Sequence, residues 1–208
     1  MRDERREIGQ LLRELSPDQW QKASLCDGWS VRDVVAHLQV WDDLLLYRNG
    51  PEHVRVFVRF MGLYLRSLGS MRRVNQRLDA VGRDLSPEDL VVRFGADDGP
   101  ELKWLFDGSN PGAHLAEYVI HHNDIRDALD SPRQLPPQRL IAALDGAMKL
   151  PGVRARARWR LARERWQADN VGWSRGRGRE VRASGEHILM ALAGRESITR
   201  STNAAGDS

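Results

Sequence analysis

The chain is poor in cysteine and lysine and has no long apolar run. One cysteine, Cys26, in 208 residues rules out an intrachain disulfide and a multi-cysteine zinc cage, and fits a reducing compartment. No stretch approaches the roughly 20 apolar residues needed to span a bilayer. The opening MRDERREIGQ is charged where a secretory signal would be apolar, so a cytoplasmic protein is expected, with no membrane partner. Lysine is nearly absent: three lysines leave 29 arginines among the 32 basic residues. With 29 acidic residues the net charge is only +3, too small an excess to argue for a polyanionic partner. Any bound metal must be held mainly by His, Asp or Glu.

Enough apolar residues remain for a sizeable core, at 41% hydrophobic with seven tryptophans, and the composition is not that of a disordered chain. The turn signals cut the chain into helix-sized pieces. Ile8, Leu11, Leu12 and Leu15 share one helix face ahead of Ser16-Pro17. Ser30 and Asp33 match a capping box, with Trp29 and Val34 spaced as a hydrophobic staple, and predict a helix from about Val31 to Arg48 closing at Asn49-Gly50. Beyond Pro51 the apolar period from Val54 to Leu78 predicts one long helix of roughly seven turns. Ser86 to Asp89 opens a short helix, and Gly95 to Pro100 reads as a turn-rich connector. Ser109 or Asn110 would cap a fourth long helix, with Pro111 in its first turn, running to about Leu129.

Four long amphipathic helices imply a four-helix bundle. Past it, Arg156 to Trp166 and Glu180 to Arg182 suggest a small hairpin or sheet, and Glu186 to Ala193 a closing helix before Gly194. The expected organisation is mainly α: a bundle over residues 1–135, a small α+β segment over 136–198, and a disordered tail over 199–208.

Chemistry concentrates on two of these helices. His37 follows Val34 by three residues and precedes Trp41 by four, so it shares the core stripe. On the fourth helix His114, Glu117, His121 and Asp124 recur at 3, 4, 3 spacing and form a polar stripe where a bundle would place aliphatics. A buried carboxylate needs a partner or a cation, and imidazole, imidazole and carboxylate are a common catalytic zinc set with an open fourth position. Taken singly, His37 also reads as a hydrogen-bonded core histidine, and Glu117 with His121 as a solvated face with an i to i+4 contact. Asp124 could orient a ligand imidazole or pair with Arg126 or a neighbouring helix. Cys26, just before a helix cap, reads as a packed thiol, and His53 and His187 as surface or helix-end residues. Arginines interleaved with Trp159, Trp166 and Trp173 raise a nucleic-acid-binding alternative, which Glu164, Asp169 and Glu180 interrupt.

The run from Leu25 to Leu38, LCDGWSVRDVVAHL, resembles the opening motif of the mycothiol-dependent maleylpyruvate isomerase family, a branch of the DinB-like metalloproteins. Glu117 to Leu129, EYVIHHNDIRDAL, is similar to that family's second metal motif. Ala168-Asp169 through Trp173, Gly176, Gly178, Val181 and Gly185 to Leu192-Ala193-Gly194-Arg195 resembles its C-terminal segment. The resemblance implies a DinB-like bundle in which His37, Glu117 and His121 bind a divalent metal, usually zinc. It also implies mycothiol or a similar low-molecular-weight thiol as cosubstrate and a small electrophile as the second reactant. Isomerisation and S-transfer both remain open, as does a non-catalytic sensor or carrier. No arginine is matched to a catalytic role. A homodimer is possible.

Overall fold

The structure, a computed structural model, describes residues 2–95, 103–106, 108–110 and 112–195. Among them are ten helices and five short strands, so the fold is mainly α with a small C-terminal α+β part. The 199–208 tail and the 96–100 connector lie outside the described residues. The chain divides into two compact units, Met1–Ser109 and Asn110–Ser208.

The first unit opens with α1 (Arg2–Leu12) and α2 (Pro17–Trp20), whose Ser16 and Gln19 complete a capping box. The helix α3 (Val31–Leu45) follows, and its start is as the sequence predicts: the Ser30 side chain accepts from Asp33 N while Asp33 accepts from Ser30 N. Its end differs. The predicted run to Arg48 stops at Leu45 because Leu46 turns extended, and Leu46–Tyr47 (β1) pairs antiparallel with Lys103–Trp104 (β2).

The single long helix expected after Pro51 is two, α4 (Gly50–Arg66) and α5 (Met71–Gly82). Leu68 and Gly69 both adopt positive φ, 53° and 68°, and Ser70 caps the second helix. The apolar period ran through the break because both helices bury a face on the same core of Val40, Leu44, Leu45, Phe60, Val74 and Leu78. The helix α6 (Pro87–Gly95) packs on α1, where a side chain at Gly9 would meet Phe94 O at 2.9 Å. Arg5 of α1 forms a buried ion pair with Asp42 of α3 and donates to Arg93 O at 2.8 Å, tying three helices together.

The second unit begins with α7 (Ala113–Ala128). Its N-cap is Gly112, left-handed at φ 83°, with no side-chain cap, in place of the expected Ser109 or Asn110. Glycine is required there twice over. The helix α8 (Pro137–Ala147) crosses so closely that a Cβ on Gly146 would stand 2.1 Å from Gly112 O. Next come α9 (Pro151–Leu161), β3 (Glu164–Ala168), β4 (Ser174–Gly176), β5 (Arg179–Ala183) and α10 (Gly185–Ala193). The residues from Arg156 to Leu161, read as partly alternating, are helical, since Val153 and Ala157 at i, i+4 supply its buried contacts. The sheet is ordered β4-β3-β5, antiparallel on one side and parallel on the other. Gly194 ends α10 in a left-handed C-cap, as the sequence anticipates.

Candidate functional site

His37 occupies the middle of α3 in the first unit and is 6% exposed. Its Nδ1 lies 3.1 Å from Asp79 Oδ1 on α5. An ionised carboxylate can only accept, so this contact puts an imidazole proton on Nδ1. The indoles of Trp29 and Trp41 pack against the ring at centroid distances of 4.9 and 6.4 Å. Asp79 was not anticipated. It stands 42 residues away on an element that the sequence reading fused with α4, and one acidic residue on an amphipathic helix carries no signal of its own.

Glu117, His121 and Asp124 are brought together on α7 in the second unit. His121 Nδ1 lies 2.9 Å from Asp124 Oδ2, and His121 Nε2 lies 3.3 Å from Glu117 Oε1. His114, one turn earlier, is buried and packs edge-on against Tyr118. Asp124 is fully buried. It takes both prongs of Arg195, Nε to Oδ1 and a terminal nitrogen to Oδ2, each at 2.7 Å. Burial alone would raise the Asp124 pKa, but the hydrogen bonds from His121 and Arg195 outweigh it and hold the carboxyl below its ordinary value. The sequence anticipated Asp124 as an acceptor for a histidine and allowed Arg126 or a neighbouring helix as the rival partner. Arg126 instead donates to His122 Nε2 at 2.9 Å. Arg195 was missed as a partner because 71 residues separate it from Asp124; the only hint was its place in Leu192-Ala193-Gly194-Arg195, just past α10.

The electrostatics of the α7 cluster have a definite direction. Ionised Asp124 holds a His121 proton on Nδ1, and Nε2 faces the Glu117 carboxylate across 3.3 Å. Two acceptors at that distance repel unless a proton or a metal cation lies on or near the line between them. His37 has the same Nδ1-to-aspartate arrangement. Imidazoles whose Nδ1–H is held by a carboxylate, with Nε2 turned outward, are the usual preparation of histidine for metal ligation. Imidazole nitrogens and carboxylate oxygens are donors that suit a divalent metal ion.

The remaining candidates fall elsewhere. Cys26 is buried in the loop before α3, whose turn needs Gly28 at φ 75°. His53 packs on Tyr47, and His187 hydrogen-bonds Ser184 at the start of α10. In the Arg/Trp stretch, Trp166 and Trp173 are buried and Trp159 is exposed. Several of its arginines are paired with acids: Arg175 with Asp145, Arg179 with Glu164, and Arg182 with Asp169 and Glu180. No described helix is long and apolar enough to cross a membrane.

Comparison with known proteins bears on the first unit. Residues 1–55 match the family model described as the mycothiol maleylpyruvate isomerase N-terminal domain. The match takes in α1 to α3 and therefore His37; it ends before Glu117 and His121. No curated protein and no solved structure matches the chain.

Proposed function

We propose that His37, Glu117 and His121 hold a divalent metal, zinc in the first instance, and that the protein uses a low-molecular-weight thiol of the mycothiol type on a small electrophile. The observation that carries the reading is the pair of Asp-held imidazoles, His37 on Asp79 and His121 on Asp124, with the Glu117 carboxylate set 3.3 Å from Nε2 of His121. That arrangement calls for positive charge between Nε2 and the carboxylate, supplied by a ring proton or by a shared metal ion. The family of the N-terminal domain supports the thiol.

A bound divalent ion would lower the pKa of a thiol at its open position and so keep a nucleophilic thiolate present at neutral pH. The chain's own residues divide the remaining work. Asp79 and Asp124 hold each imidazole in one tautomer and one orientation, and Arg195 keeps Asp124 ionised. The Trp29 and Trp41 rings shield His37 from water.

Elemental analysis tests the ligand set. The purified protein should carry about one equivalent of metal, and His37→Ala, Glu117→Ala and His121→Ala should each lower occupancy at least about tenfold. Unchanged metal content in Glu117→Ala sinks the assignment. Turnover of maleylpyruvate or another thiol-reactive electrophile with added mycothiol, lost in His37→Ala, separates an enzyme from a carrier that binds metal without reacting.

A further inference from the structure

The helix α4 has two apolar faces, and its own unit covers only one. Val56 and Phe60 are its buried residues. On another side Val54, Val58, Met61 and Leu65 follow one another at spacings of 4, 3 and 4, the seam of a helix that packs against another helix, and Leu68 extends the line past the helix end. Met61 is half-buried, but Val54, Val58, Leu65 and Leu68 are 61%, 62%, 66% and 77% exposed, with Phe57 beside them at 47%.

Two further features mark this face. Gly62 sits inside the helix, where glycine is a poor helix former, yet a Cβ there would meet nothing within 4 Å. Its own fold does not require it. Leu68 combines a left-handed backbone, φ 53°, with the largest exposure of any bulky apolar side chain described.

Gly62 also forms the wall of a groove of about 580 Å³. Val40 and Leu44 of α3, Val58 of α4, and Leu78 and Val81 of α5 give it apolar lining, and Asp43, Arg59 and Arg66 give it charge. Ridge and groove thus lie side by side on one surface, which is the self-complementarity that a two-fold interface needs.

We propose that this face binds a second copy of the chain, with the α4 ridge of each protomer packed along the groove of the other and Gly62 allowing the helices to approach closely. Exposure of a half to three-quarters over five large side chains makes a patch on the order of 500 Å², near the upper range that monomers display. With the groove walls added it approaches the ~800 Å² per partner of a stable interface. Arg55, Arg59 and Arg66 stand beside the seam, and Arg59 and Arg66 line the groove, where Asp43 supplies an opposite charge. They would also suit an anionic lipid surface, but a membrane would be met by the convex ridge and would have no use for the notch at Gly62.

Sedimentation or light scattering of the full chain at tens of micromolar tests this. The wild type should run at twice its 23.7 kDa chain mass. Val58→Glu with Leu65→Glu should run as a monomer whose melting curve shows it folded, since both positions are exposed to solvent in one chain. Gly62→Leu should weaken the dimer at least tenfold while leaving the monomer folded. Val92→Glu, 71% exposed on α6, should leave the mass unchanged. A wild type of single-chain mass overturns the proposal, and co-flotation of that monomer with phosphatidylglycerol vesicles would assign the face to lipid instead. A doubly substituted protein that remains dimeric overturns it equally.

Discussion

Replacing Asp124 by asparagine keeps the side chain's shape and removes its charge, at a position with no exposure to solvent. The carboxylate accepts three charge-assisted hydrogen bonds, two from Arg195 at 2.7 Å and one from His121 at 2.9 Å. An amide has one acceptor oxygen, so at least one donor faces an NH2 group and the mostly buried guanidinium loses its counter-charge. Removing one partner of a buried pair costs about 3–5 kcal/mol. For a chain of this length that corresponds to a fall in Tm on the order of 10 °C.

The pH dependence has a fixed sign. Asp124 has a lower pKa folded than unfolded, so its contribution is fully present above the unfolded value. That contribution fades as pH falls through the folded one. Thermal melts followed by circular dichroism should therefore show a wide gap between wild type and Asp124→Asn at pH 7 that closes in acid. Arg195→Leu should produce a loss of similar size, and the double variant should lose clearly less than the sum. A gap below about 3 °C at pH 7, or one of equal size at pH 3, would refute the reasoning.

Other substitutions probe separate links of the argument. Asp79→Asn should weaken zinc binding by about 10- to 100-fold in a competitive chelator titration while changing Tm little, because it frees the His37 ring to turn without removing a ligand. Gly146→Ala should destabilise the second unit by about 1–3 kcal/mol, read from urea unfolding, since the added methyl collides with Gly112 O and only a backbone shift relieves it. Ser30→Ala should cost about 1 kcal/mol in the same assay by removing the α3 cap, and Ser30→Asp should restore most of it.

The fold was legible wherever local chemistry decides structure. The Ser30 and Asp33 capping box, the short helix opened by Ser86 to Asp89 and the glycine that closes α10 were all read correctly, because each depends on residues within one turn. The misreadings share a different cause. The α4–α5 break was hidden because the apolar residues on both sides serve one core and keep period across Leu68-Gly69. The early end of α3 depends on Trp104, nearly 60 positions away, whose strand draws Leu46 into an extended pair. The α7 cap could not be read locally: Ser109 and Asn110 are good capping residues, but the approach of α8 at Gly146 sets the entry to the helix at Gly112.

For the candidate site, residue type and helical spacing alone singled out His37, Glu117, His121 and Asp124, since side chains three and four apart share a helix face whatever the rest of the chain does. Only the tertiary structure supplied what acts on them. Asp79 and Arg195 reach their partners from 42 and 71 residues away, and through them each imidazole's tautomer and the charge of Asp124 are decided. Periodicity is a property of neighbours along the chain, whereas the position of a proton depends on whichever charge folding brings alongside.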